Sequence, residues 1–120
     1  MKISEIKELL SADVLCGDDE LSQEVCSACS SDMMSDVLAF VKDQAVLLTG
    51  LVNPQVIRTA EMMDMCCIVF ARRKVPTEEM LQLARDAGLV VLKTKMRMFE
   101  ACGKLYSEGL CGCAEDEAMI

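Results

Sequence analysis

Three short apolar runs recur at nearly even spacing: Ala45-Val46-Leu47-Leu48, Cys66-Cys67-Ile68-Val69-Phe70 and Leu89-Val90-Val91-Leu92. Each is followed by a turn signal and then by apolar residues at helical spacing. A period of about 22 residues made of strand, turn and helix is what successive βα units of a parallel sheet produce. Such a sheet collects loops and helix N-termini along one edge, where ligands bind. The expectation is an α/β fold: a small, mainly parallel sheet of βα repeats with flanking helices.

The elements follow from local signals. Ile3, Ile6, Leu9 and Leu10 form one stripe of a helix over 3–11. Residues 13–16 read as a short strand stopped by the turn cluster Gly17-Asp18-Asp19. A second strand falls within 23–30, where Val25, Ser27 and Cys29 alternate with Cys26, Ala28 and Ser30. Ser31 or Asp32 then caps a helix whose stripe is Met34, Val37, Leu38 and Val41. Strand 45–49 leads to Asn53-Pro54, an N-cap followed by proline at the first helical position, and to a helix buried through Val56, Ile57, Ala60 and Met63. Strand 66–71 leads to Pro76-Thr77-Glu78-Glu79, a helix start with acids in its first turn. Met80, Leu81, Ala84 and Ala87 face the sheet, and Gly88 closes that helix. Strand 89–93 feeds a last helix over 96–108, with Phe99, Cys102 and Leu105 turned inward. Residues 1–110 thus form one domain, and 111–120, with Glu115-Asp116-Glu117, an acidic, cysteine-containing flexible tail.

Composition narrows the function. With 120 residues, 52% of them apolar, the chain buries roughly two-thirds of its unfolded surface and needs no disulfides. A formal charge of −8 argues against nucleic acid, which requires a basic face. Aromatic content of 3% leaves few platforms for stacked bases. No apolar run reaches the ~20 residues of a membrane span. The start Met1-Lys2-Ile3-Ser4-Glu5 is amphipathic and unlike a secretory signal, so a cytoplasmic location with reduced thiols is expected for the eight cysteines. The chain has no histidine, which removes Ser-His-Asp and Cys-His catalysis and His-ligated zinc.

Residues 31–109 resemble the DRTGG-domain family. The resemblance rests on Ser31-Asp32-Met33-Met34-Ser35-Asp36-Val37-Leu38-Ala39-Phe40, on Leu48-Thr49-Gly50-Leu51-Val52-Asn53-Pro54-Gln55-Val56-Ile57-Arg58-Thr59-Ala60 and on residues 94–102. The family's Asp-Arg-Thr-Gly-Gly string is absent, its place after the first repeating strand taken by Gly50-Leu51-Val52-Asn53-Pro54. The resemblance implies an α/β domain like the N-terminal domain of HPr kinase/phosphorylase. It also implies regulation or binding in place of catalysis, as in the copies attached to phosphotransacetylases.

Several residue sets carry chemistry. Six of the twelve Lys and Arg residues, Arg72, Arg73, Lys74, Lys93, Lys95 and Arg97, lie at or just after two successive strands. Helix starts near Asn53, Thr77 and Lys95 would point N–H groups at the same edge. In so acidic a chain this selects a phosphate or carboxylate, unless the cations simply solvate loop ends. The candidate contacts are Thr49, Gly50, Asn53, Arg72, Arg73, Lys93, Thr94 and Lys95, with Asp32 and Ser35. Ser31-Asp32…Ser35-Asp36 reads first as a capped helix start; its paired carboxylates could instead bind a cation or serve as acid and base. Cys26-Ser27-Ala28-Cys29 is a CxxC, but on a strand its thiols face opposite sides and one pair is half a metal site. The segment Gly50-Leu51-Val52-Asn53-Pro54 lacks the Lys-Ser/Thr and glycine spacing of a nucleotide loop.

The reading is a non-catalytic regulatory or binding module for a small anionic metabolite or a partner protein, without a cofactor and self-associating as a dimer. A thiol-based redox or metal protein, and a phosphoryl- or acyl-transfer enzyme using Asp32 or Asp36, are the alternatives.

Overall fold

The structure, a computed structural model, describes residues 1–40 and 44–111. Its elements are α1 (Ile3–Leu9), β1 (Asp13–Cys16), β2 (Ser27–Ser30), α2 (Met34–Phe40), β3 (Ala45–Thr49), α3 (Pro54–Met62), β4 (Cys67–Phe70), α4 (Glu78–Ala87), β5 (Val90–Lys93) and α5 (Met98–Ser107), with one 3-10 turn over Asp18–Glu20. The five strands form one sheet in the order β1-β5-β4-β3-β2. Strands β2 to β5 are parallel, and β1 joins β5 antiparallel with a register shift between Val14 and Cys16. The expected fold class is the one observed.

The apolar runs owe their lack of alternation to double coverage. Ala45, Leu47, Ile68, Phe70 and Val91 face one layer with residues of α2, α3 and α4. Val46, Leu48, Cys67, Val69, Val90 and Leu92 face the other, with residues of α1 and α5. A strand buried on both sides must be apolar at every position. Helix starts follow their sequence signals: Asn53 Oδ1 accepts from the Gln55 N–H at 2.8 Å, and Thr77 Oγ1 from the Met80 N–H at 3.2 Å.

Four expectations change. Only 27–30 of the segment 23–30 joins the sheet, because Val25 donates to the Met1 carbonyl and Glu24 bridges Lys2, tying that stretch to the N-terminus. Leu38 is 42% exposed: α2 lies over the sheet's outer end with its main helix contact to α3, so only a narrow stripe is covered. Phe99 is 85% exposed, not inward, because Ala101 and Leu105 set the buried phase of α5. Asp32 does not cap α2, as described below. Val41 and the tail residues 112–120 lie outside the described residues. No described helix is long and apolar enough to cross a membrane.

Among the described residues Phe70 is the largest fully buried side chain. Phe70→Ala is expected to cost about 3–5 kcal/mol, read as a lower urea midpoint with an unchanged slope.

Candidate functional site

The C-terminal ends of β2 to β5 share one rim, and the helices that follow them divide there. The loop after β4 leads to α4 on one face, whereas the loop after β5 leads to α5 on the other. Between diverging loops of this kind an open crevice forms beyond the strand ends. The β4–β5 boundary is therefore the topological switch point, and the cationic residues expected from sequence lie on its two loops.

The β4 loop is unusual in its backbone. Arg72 and Arg73 both adopt left-handed conformations, φ 58° and 61°, and the Lys74 N–H donates to the Ala71 carbonyl at 3.1 Å. Two successive positive φ values define a turn that normally carries Asn-Gly. The turn is held by the neighbouring loop: the Arg72 N–H donates to the Met96 carbonyl at 2.8 Å and the Arg73 N–H to that of Thr94 at 3.1 Å. Thr94 is in turn fixed, its buried hydroxyl donating to the Leu10 carbonyl at 2.7 Å and accepting from the Met96 N–H at 3.2 Å. The surroundings thus over-determine a conformation that two arginines would not choose, a pattern that clusters at functional sites.

The side chains of these arginines go different ways. Arg72 turns back over Gly50 and pairs with Asp32 at 3.2 Å. Asp32 also accepts from the Thr49 hydroxyl at 3.0 Å and the Gly50 N–H at 2.7 Å. These bonds correct the capping expectation: the Asp32 carboxylate crosses to the end of β3, while the Ser31 hydroxyl accepts from the Met33 N–H at 2.9 Å. The Gly50 N–H, with help from Thr49 and the Arg72 charge, holds the Asp32 carboxyl below its ordinary value of 3.8. A Cβ at position 50 would displace the Arg72 guanidinium from the place it now occupies over Gly50. Thr49, Gly50, Asp32 and Arg72 form one cluster whose polar groups satisfy one another.

Arg73 remains in the crevice. With Lys93, Thr94, Lys95, Val75, Ser11 and Asp13 it lines a cavity of about 150 Å³. Three cations face one carboxylate there, in a protein whose formal charge is −8. Asn53 is occupied in capping α3, and Ser35 stands exposed in the first turn of α2. Arg97 is the N-cap of α5, beside the crevice loop. The structure therefore separates the sequence-derived set into a self-satisfied cluster (Asp32, Thr49, Gly50, Arg72) and an open cationic one (Arg73, Lys93, Lys95). Ser11 and Asp13 complete the lining. They reach the site through the antiparallel β1–β5 pairing, Asp13 opposite Lys93, which no local pattern announces.

The thiols behave mainly as packing groups. Burial pushes Cys16, Cys66 and Cys67 up from the ordinary thiol value, which keeps them neutral and unreactive. In the CxxC segment, Cys26 is exposed and bonds Gln44 Oε1 at 3.3 Å, while Cys29 packs against the α2–α4 side of the core. Among the described residues no group of three or more His, Cys, Asp or Glu is placed to hold a metal ion.

A small three-layer α/β domain with a polar rim at its switch point is the class that fold and site define. The chain belongs to the DRTGG domain family, whose profile matches residues 5–107. Among solved structures it is similar to the CBS and DRTGG domains of the regulatory region of Clostridium perfringens pyrophosphatase, solved in complex with the activator diadenosine tetraphosphate. The TM-score is 0.69 at 14% identity, over 87% of this chain and 45% of that one. The present chain thus spans less than half the length of that structure, and the likeness is one of fold. No curated protein matches the sequence.

The Asp32 cluster gives a pH test. A carboxyl held below its ordinary value adds stability that is complete above that value and is lost as pH falls through the lowered one. Asp32→Asn is expected to lower the unfolding free energy by a constant amount above pH ~5, the gap to wild type closing below ~4. Chemical denaturation across that range checks it.

Proposed function

We propose that this protein is a non-catalytic regulatory module that recognises a small phosphate- or carboxylate-bearing metabolite in the crevice between the β4 and β5 loops, and that it acts as a homodimer in the cytoplasm. The observation that carries the ligand reading is the strained Arg72-Arg73 turn, held by the β5 loop so that Arg73 lines the crevice with Lys93 and Lys95. Three cations at the switch point of an acidic protein attract an anion and repel little else. Asp13 and Ser11 on the same wall supply an acceptor and a hydroxyl for a ligand's own N–H or O–H groups. The similar pyrophosphatase region was solved with a polyphosphate nucleotide activator, which makes nucleoside polyphosphates the first class to test.

Thermal shift and calorimetry against nucleoside mono-, di- and polyphosphates, pyrophosphate and small carboxylates are the direct measurement. At least one class should raise Tm, with an effect that weakens as salt is added. Arg73→Asn should abolish that shift. It should also leave the melting temperature of the unliganded protein equal or higher, because asparagine accepts the left-handed conformation more readily than arginine. Failure of every anion to bind the wild type would end the ligand reading.

A further inference from the structure

We propose that α5 is the homodimer contact, packing antiparallel against the α5 of a second copy about a two-fold axis that passes beside Cys102 and Gly103. The inference rests on the self-association part of the reading above and is independent of the ligand.

Gly17, Gly88 and Gly109 have positive φ, and Gly50 lies beneath Arg72, so each of these has a reason within the protomer. Gly103 shows none among the described residues: it sits inside α5, and a Cβ there would meet no described atom. Glycine in a helix interior is unfavourable relative to alanine. One use that offsets this is the close approach of a second backbone.

The residues around Gly103 fit such an approach. Phe99, Cys102, Gly103 and Tyr106 follow the spacing of one helical stripe. Phe99 is 85% and Tyr106 72% exposed, although the chain has only four aromatic residues, three Phe and one Tyr. In an antiparallel pair centred at Cys102 and Gly103, Phe99 falls beside Tyr106 of the partner subunit, twice. Four such rings, at roughly 150–250 Å² each when fully buried, supply much of the roughly 1,000 Å² of a specific interface.

The charges match the same axis. Arg97 caps the N-terminus of α5 and Glu108 its C-terminus, and both are exposed. Each opposes the macrodipole of its own helix. An antiparallel partner reverses this, bringing Arg97 to Glu108 of the partner subunit and to that helix's negative end. A contact related by a two-fold must be complementary to itself, and this stripe is.

Sedimentation velocity on the full chain, from low to high micromolar concentration, tests the interface. Wild type is expected to show a reversible monomer–dimer equilibrium. Gly103→Lys should weaken it about tenfold or more while Tm stays equal or rises, since a Cβ at 103 meets no described atom and lysine favours a helix interior over glycine. Arg97→Glu and Glu108→Arg should each weaken association alone and recover it when the two variants are mixed, because both cross-contacts of the mixed dimer then join opposite charges. Dimerisation of Gly103→Lys at wild-type strength would overturn the α5 interface while leaving self-association standing. A wild type that stays monomeric throughout would overturn both.

Discussion

The structure depends on the burial of β3, β4 and β5 from both sides. With α2, α3 and α4 on one face and α1 and α5 on the other, their side chains have no route to solvent except at the strand ends. Polar chemistry is thereby confined to the rims and to outward helix faces. At the C-terminal rim the few hydroxyls and charges that remain must serve the backbone first. Thr49 and Thr94 show this: each accepts from the N–H two residues on and donates to an oxygen of another element. Both are buried, and both fasten one loop to another.

What was legible in the sequence follows from that constraint. The central strands and the starts of α3 and α4 were plain because continuous apolar runs and the Asn53-Pro54 and Thr77-Glu78-Glu79 signals are local. Phase was harder to read on α2 and α5, which lie at the margins of their layers. Leu38 and Phe99 have the hydrophobicity of core residues, but what covers them is decided by tertiary packing. Asp32 misled for a similar reason. Its sequence neighbours describe an N-cap, whereas two donors at the end of β3 and a guanidinium from the β4 loop outbid the helix for its carboxylate. The cationic loops were visible as a charge cluster, but their division between a satisfied pair and an open crevice depends on φ values that no composition encodes.

The cysteines illustrate how burial decides chemistry. Cys67 is wholly enclosed on β4, and Cys16 and Cys66 point their thiols at backbone carbonyls. Their raised pKa values follow from desolvation, the same force that places them in the core. A thiol in such a setting resembles a small aliphatic residue. Their number says little about redox function.

If the proposed reading holds, occupancy of the crevice has to be carried to some other surface, and the segment from Thr94 to Arg97 connects the crevice to α5. Its carbonyls at Thr94 and Met96 hold the strained arginine turn, Lys95 lines the crevice, and Arg97 begins α5. A ligand that draws Arg73 and Lys95 together therefore acts on the turn whose end fixes where α5 starts. α5 packs on the sheet through Ala101 and Leu105, with Met98 and Cys102 half-buried beside them, and its exposed stripe lies on the side away from that contact. Linkage makes any such effect reciprocal: an anion that favours the paired state must itself bind more tightly to the dimer.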